Sequence, residues 1–147
     1  MNTAPHIASH HQIHGAQPVL AVPDVAAAAD WFVRVLGFDI DFLYGSAPHV
    51  HGRVKTGMDG TAGWGEPIHI HLSLEDGINP GVTDGATKSG SETRLHVGHD
   101  IDGLHAHALA CGATVLSAPT DQPWGLREMV LRAPGGHVLV LGAEIAA

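Results

Sequence analysis

The same order of secondary-structure signals occurs twice along this chain. In the first half, an apolar run is followed by Asp24, a residue favoured at helix N-caps, and a helical pattern that ends at Gly37. In the second half, an acidic cap at Asp100 or Asp102 begins a helical pattern that ends at Gly112. This repeat constrains the fold more than any other feature, because it predicts two modules of one design.

Apolar runs between glycine- and proline-containing turns predict the strands of each module. The predicted strands lie at 19–22, 38–44, 50–56 and 68–74 in the first half and near 93–98, 114–116, 127–132 and 137–141 in the second. One such unit cannot bury both its sheet face and its helix alone, so two must pair. We therefore predict an α+β fold of two βαβββ modules, whose curved mixed sheet surrounds a cleft.

The composition divides the chain into four segments of one domain. Residues 1–16 are polar and rich in histidine and predict a flexible arm. Residues 17–76 form the first predicted module, the glycine-rich polar stretch 77–92 a linker, and residues 93–147 the second module. A chain of 147 residues is long enough to bury one substantial core.

Charge and composition exclude several classes of protein. The formal net charge of −8, with histidine neutral, disfavours nucleic acid as a partner, although 13 histidines make the charge strongly dependent on pH. A single cysteine, Cys111, excludes an internal disulfide, and its place among alanines predicts a buried, inert thiol. No apolar stretch is long enough to span a membrane, and the first sixteen residues lack the pattern of a signal peptide, so we expect a cytoplasmic protein.

Two stretches of sequence resemble a known family. The first is PVLAVPDVAAAADWFVRVLGF and the second is TDQPWGLREMVLRAPGGHVLVLG. Together with the repeat they resemble the glyoxalase/bleomycin-resistance/dioxygenase (vicinal oxygen chelate) superfamily, and within it most closely the bleomycin-resistance proteins. The resemblance implies the paired βαβββ fold and a homodimer. It leaves the activity open, because the superfamily includes lyases, isomerases, epimerases, dioxygenases and metal-free drug-binding proteins.

The resemblance also implies four positions for metal ligands. In this sequence they fall at Gln17, His71, Arg94 (or Thr93 with a shift of one residue) and Val140. Arginine is a permanent cation and valine has no donor atom, whereas a catalytic ion needs at least three protein ligands. We therefore expect the usual metal centre of the superfamily to be absent and the protein to need no cofactor.

A displaced metal site is the alternative. His49 and His51, and likewise His69 and His71, are spaced two apart on predicted strands, so each pair points to one sheet face. The other interpretation of these pairs is the ordinary amphipathic pattern of a half-exposed strand. Under the metal hypothesis, a divalent ion (zinc, nickel, manganese or iron) would serve a lyase, isomerase or dioxygenase. Its candidate ligands are Gln17, His69, His71 and His96.

Aromatic residues at strand and loop positions favour a binding function. Trp and Tyr side chains with a few histidines suit a flat heteroaromatic or cationic ligand, through stacking and cation–π contact. The candidate ligand-binding residues are Phe42, Tyr44, Trp64, His71, Arg94 and Trp124. The sequence contains no recognisable nucleophile motif or phosphate-binding loop. The leading hypothesis is a homodimeric small-molecule-binding protein that sequesters an aromatic or cationic antibiotic.

Overall fold

In the part of the chain that the structure describes, eight strands and two α-helices follow one another in the order that the repeat predicts. The computed structural model describes residues 15–56, 67–75, 91–98 and 100–145. The elements are β1 (Val19–Val22), α1 (Val25–Leu36), β2 (Asp39–Tyr44), β3 (His51–Lys55), β4 (His69–Leu74), β5 (Glu92–His96), α2 (Ile101–Ala110), β6 (Thr114–Asp121), β7 (Leu126–Arg132) and β8 (Val138–Glu144). A 3₁₀ turn at Pro134–Gly136 lies between β7 and β8.

Each module contains a four-stranded mixed sheet with the same arrangement. The strand orders are β1-β4-β3-β2 and β5-β8-β7-β6. The first strand of each module pairs in parallel with the last, and the other pairs are antiparallel. The predicted α+β fold of two βαβββ modules is therefore confirmed.

Helix α1 covers one face of the first sheet. Asp24 caps it by accepting a hydrogen bond of 3.0 Å from the backbone N–H of Ala27, and Gly37 ends it with a φ of 73°. One side of the helix is buried against the sheet through Val25, Ala28, Ala29, Phe32 and Val35. This periodic apolar side is the reason that residues 25–36 form a packed helix.

Helix α2 begins at the first of its two predicted caps. The Asp100 carboxylate accepts a 3.0 Å hydrogen bond from the backbone N–H of Gly103, and its own φ is 58°. Asp102 has another role, because its carboxylate binds the guanidinium of Arg127 on β7 at 2.9 Å. Gly112 supplies a φ of 78° just beyond the helix end, as expected from the sequence.

The last module has longer strands than the sequence predicts. Strand β6 continues to Asp121 and β8 to Glu144, beyond the expected ends at 116 and 141. The pairing of β6 with β7 is shifted at two places, between Val115 and Ser117 and between Ser117 and Thr120. These irregularities interrupt the alternation of apolar and polar residues by which a strand is recognised.

The two modules contact each other through α1 with α2 and through β1 with the 3₁₀ turn. His137, which is 2% exposed, donates from Nε2 to the carbonyl of Ala21 at 2.7 Å. At the helices, the His107 imidazole binds the carbonyl of Arg34 at 2.7 Å. Cys111 lies beside this contact and is partly exposed, so the prediction of a buried thiol was wrong.

Several sequence predictions fall outside the described residues. They concern Trp64, nearly all of the histidine-rich arm and most of the linker. Glu92, which was placed in the linker, is the first residue of β5. In the described part of the chain, neither helix could cross a membrane, since the longer has 12 residues where about 20 are needed.

Candidate functional site

Polar side chains line the face of the first sheet that points away from α1. Strands β3 and β4 pair so that His51 lies opposite Ser73, Arg53 opposite His71, and Lys55 opposite His69. The residues that alternate with them (Gly52, Val54, Ile70 and Leu72) are buried on the other face. Because paired residues on neighbouring strands share a face, six polar side chains lie together on the helix-free face.

A continuous chain of hydrogen bonds crosses this face. Ser73 Oγ lies 2.6 Å from His51 Nδ1, and His51 Nε2 lies 2.8 Å from His71 Nδ1. His71 Nε2 in turn lies 2.5 Å from Gln17 Oε1. All three bonds are satisfied when both imidazoles are neutral and protonated at Nε2, with the serine hydroxyl donating. Neither imidazole then has a free lone pair at a nitrogen for a metal ion.

The environment of His71 favours this neutral form. Burial lowers the pKa of His71 below its ordinary value, since the charged imidazolium is less well solvated there. Electrostatic repulsion of the His71 imidazolium by His51, Arg53 and His69 lowers the pKa of His71 further, and Asp41 opposes this effect.

Aromatic rings continue the same face toward the edge strand β2. The His51 ring lies 5.0 Å from that of His71 and 5.9 Å from that of Phe42, with interplanar angles of 37° and 31°. The Arg53 guanidinium stands over the Phe42 ring at 5.2 Å. Phe42 is 37% exposed, and Tyr44, the register partner of His51, is 67% exposed. These side chains form a surface on which a flat molecule can stack.

A β-bulge explains why an acidic residue joins this group. The register shifts between Ile40 and Phe42, so Asp41 is an extra residue on β2. Its carboxylate binds the guanidinium of Arg53 and lies 2.7 Å from Lys55 Nζ. These two cations hold the pKa of Asp41 below its usual value. The sequence analysis missed Asp41, because a bulge has no signal in the alternation of residues.

The second sheet carries a smaller group on its own helix-free face. Glu128, which is 5% exposed, accepts a 2.7 Å hydrogen bond from Arg94 on β5 and a 3.0 Å hydrogen bond from the Trp124 indole. Glu128 alternates with Arg127 and Met129 along β7 and therefore points to the opposite face of the sheet from both. Its link to Trp124 was not foreseen from the sequence.

The structure thus divides the predicted ligand-binding residues into two groups. Phe42, Tyr44 and His71 lie on the first sheet, where His51 connects them. Arg94 and Trp124 lie on the second, where Glu128 connects them. His51 carries a signal in the sequence through its spacing of two residues from His49, and Glu128 lies four residues after the candidate Trp124.

An open cavity of about 660 Å³ adjoins the first group. Among the described residues it is lined by Gly15, Ala16, Gln17, Pro18, Pro67, Ile68 and His69. His69 therefore faces this cavity at one end of β4. A ligand lying across the sheet face could extend into it.

The residues at the superfamily's metal positions do not fit a divalent ion. Gln17 and His71 meet, but they bind each other, and His71 is also bonded to His51. In the second module, the Arg94 guanidinium is paired with Glu128, and Val140 offers no donor. The alternative ligand His96 lies on β5, in the other sheet from His69 and His71. The described residues contain no group of three or more histidine, cysteine, aspartate or glutamate side chains that could hold a metal.

Comparison with known proteins shows the family. Residues 5–141 match the model of the Glyoxalase/Bleomycin resistance protein/Dioxygenase superfamily, and the chain belongs to it. An uncharacterized protein of Mycobacterium bovis is 33% identical over 141 residues, which cover 87% of this chain and 82% of that protein. An uncharacterized protein of Mycobacterium tuberculosis is also 33% identical, over 87% of this chain and 73% of its own length. The resemblance inferred from the two sequence stretches is thereby confirmed.

Solved structures share the fold. TioX from Micromonospora sp. ML1 superposes with a TM-score of 0.71 and 24% identity, over 89% of this chain and 100% of TioX. The bleomycin-binding protein from bleomycin-producing Streptomyces verticillus, solved with copper(II)-bleomycin, has a TM-score of 0.61 and 24% identity, over 91% of this chain and 98% of that protein. At this level of identity the likeness concerns the fold.

Proposed function

We propose that this protein binds a flat aromatic small molecule and sequesters it, in the manner of an antibiotic-binding protein. One observation carries the proposal: Phe42, Tyr44 and Trp124 are 37%, 67% and 59% exposed on β2 and in the β6–β7 turn. Exposed aromatic side chains that cluster on one surface are typical of ligand- or partner-binding sites. Sequestration needs shape, stacking and charge, and no catalytic group.

The surroundings of these rings fit a heteroaromatic ligand. The tilted rings of His71, His51 and Phe42 provide stacking surface for such a ligand. The net charge of −8 adds a long-range attraction for a cationic molecule. The copper(II)-bleomycin complex of a protein with the same fold supports testing that class of compound first.

The test is calorimetric titration with metal-free bleomycin, copper(II)-bleomycin and a panel of planar aromatic antibiotics. We expect one class to bind, and we expect Phe42→Ala and Tyr44→Ala each to weaken it by about tenfold, as the loss of a stacked ring does. Leu109→Ala is the matched control, because Leu109 is 54% exposed on α2, away from both groups. A protein that binds none of these compounds would contradict the proposal.

We also propose that this binding needs no zinc, nickel, manganese or iron. The argument is the hydrogen-bonded pairing of Gln17 with His71 and the pairing of Arg94 with Glu128. The metal-dependent lyase, isomerase or dioxygenase is the competing function. Elemental analysis of untagged protein, purified without chelators or a metal-affinity column, separates the two. A stoichiometric metal that is lost in His71→Ala would favour the enzyme.

The assembly and location follow from the same proposal. We propose that the protein is a homodimer whose subunits share the ligand site, and that it acts in the cytoplasm on a compound that has entered the cell. Sedimentation equilibrium gives the mass in solution, for which we expect twice the 15.3 kDa of the chain. A monomer at micromolar concentration, with and without bound ligand, would exclude the shared site.

A further inference from the structure

Arg94 and Trp124 are held by the two oxygens of one buried carboxylate. Glu128 Oε2 accepts from Arg94 Nη1 at 2.7 Å, and Glu128 Oε1 accepts from Trp124 Nε1 at 3.0 Å. Glu128 itself is 5% exposed, whereas Trp124 is 59% exposed and the Arg94 side chain 60%. Glu128 is thus hidden beneath two exposed side chains whose orientation it determines.

The fold makes this arrangement possible. Arg94 lies on β5 and Glu128 on β7, and β8 runs between them. The β8 residue paired with Glu128 is Gly142, where an added Cβ would lie 3.5 Å from Glu128 Cγ. The Arg94 side chain therefore reaches across β8 to bind Glu128.

Trp124 lies in the turn that joins β6 to β7. Two backbone hydrogen bonds close this turn, from Gly125 to the carbonyl of Gln122 at 3.1 Å and from Gln122 to the carbonyl of Leu126 at 2.8 Å. A closed turn together with the bond to Glu128 restricts the indole to a narrow range of positions. The ring is therefore ordered before any ligand arrives, which reduces the entropy lost on binding.

Arg94 is also the cation best placed to meet an anion on these faces. One of the five N–H donors of Arg94 binds Glu128. Arg94 also lies 3.5 Å from the Glu92 carboxylate, and the side chains of Arg94 and Glu92 are 60% and 56% exposed. Such an exposed pair contributes little and is easily replaced. Arg53 and Lys55, by contrast, share Asp41 and have only 28% and 20% of their side chains exposed.

We propose that Trp124 and Arg94 form a subsite for a flat ring that carries an anionic substituent, and that Glu128 is its positioning residue. The ring stacks on the indole, and a carboxylate or similar group takes the place of Glu92 at the guanidinium. A planar guanidinium binds such oxyanions through two parallel hydrogen bonds. This inference rests on the proposed binding function and adds the chemical class of one ligand group.

The test compares three probes with the same ring: 2-naphthoate, 2-naphthamide and 2-naphthylmethylammonium. Dissociation constants are measured by NMR titration of the full chain. We expect naphthoate to bind about tenfold more tightly than naphthamide, which corresponds to one charge-assisted contact. Similar affinities of naphthoate and naphthamide, or tightest binding of the ammonium, would overturn the anionic subsite and leave the aromatic site standing. Binding of none of the three would contradict the proposed function itself.

Variants separate the roles of the two charged residues. Arg94→Met should abolish the preference for naphthoate, but it leaves the buried Glu128 carboxylate without its cation. The double variant Arg94→Met/Glu128→Gln removes that charge as well and should also abolish the preference. In the Glu128→Gln variant, the glutamine has one acceptor oxygen and can accept only one of the two hydrogen bonds. We expect the NMR signal of the Trp124 indole N–H to shift in the ligand-free protein. We also expect the preference for naphthoate over naphthamide to decrease. Arg34→Met on α1 is the control, and it should leave the Trp124 indole signal and the preference for naphthoate unchanged. A Glu128→Gln protein with unaltered signal and preference would overturn the positioning role.

Discussion

At the scale of single residues, His71 is the group whose charge state the structure constrains most clearly. Burial, followed by electrostatic repulsion from His51, Arg53 and His69, lowers its pKa below the ordinary value. The unfolded chain therefore binds a proton at this position more readily than the folded chain does. Between about pH 6.5, the unperturbed histidine pKa, and the lowered pKa of the folded state, the contribution of His71 to stability falls as the pH falls.

Substitution of His71 tests this prediction. His71→Gln removes the titrating group and keeps a side chain that can bind both Gln17 and His51. We expect the free energy of unfolding of the variant to depend less steeply on pH below about 6.5 than that of the wild type. Urea denaturation across this pH range measures both slopes, and their difference reports the contribution of His71 together with its coupling to His51 and His69. Equal slopes would show that His71 titrates normally in the folded protein.

At the scale of the elements, the two helices are capped at their N-termini by the same kind of hydrogen bond. Asp24 and Asp100 each accept a 3.0 Å hydrogen bond from the backbone N–H three residues later. Asp100 does so with a φ of 58°, whereas Asp24 has extended backbone angles. The cap of α1 can therefore be removed without altering an unusual backbone conformation.

Loss of the α1 cap has a predictable cost. Asp24→Ala leaves the N–H of Ala27 without its side-chain acceptor and should lower the free energy of unfolding by about 1 kcal/mol. Asp24→Asn keeps an acceptor oxygen and is the matched control. Chemical denaturation monitored by circular dichroism gives both values. A cost for Asn as large as for Ala would mean that the carboxylate charge, and not the hydrogen bond, stabilises the helix.

At the scale of the whole molecule, His137 joins the two modules. Its Nδ1 accepts from the backbone N–H of Ser91 at 3.0 Å, and its Nε2 donates to the carbonyl of Ala21 at 2.7 Å. The first bond lies within the second module, and the second reaches β1 of the first. A buried imidazole with both nitrogens engaged thus fixes the 3₁₀ turn against the neighbouring module.

Removal of this side chain should destabilise the entire fold. His137→Ala leaves a buried carbonyl and a backbone N–H unpaired, which should lower the free energy of unfolding by about 3 kcal/mol. His49→Ala, which loses one exposed hydrogen bond to Tyr44, is the control and should cost less than about 1 kcal/mol. Thermal denaturation should show a single transition, because the modules stabilise each other. Two separate transitions in the wild type would show that the modules are independent.

The repeat, and with it the fold class, can be read from the residue pattern alone. The helix starts are marked by the capping residues Asp24 and Asp100, and the helix ends by Gly37 and Gly112 with positive φ. Capping and positive φ are local requirements of the backbone, so the helix ends can be predicted without tertiary information. Alternation likewise placed His69 and His71 on one sheet face. The ends of β6 and β8 were not readable, because bulges and pairing across the sheet decide them.

Which side chains meet depends on how the strands pair with one another. Gln17 and His71 are 54 residues apart in sequence, and Arg94 and Glu128 are 34 apart. Each pair comes into contact only when the strands of its sheet pair. The sequence named most residues of both groups, but not that His51 and Glu128 connect them. A strand's own pattern determines which face a side chain occupies, whereas strand order and register determine its neighbours. Hydrogen bonding and pKa depend on those neighbours, so the chemistry of the site was a property of the assembled sheets.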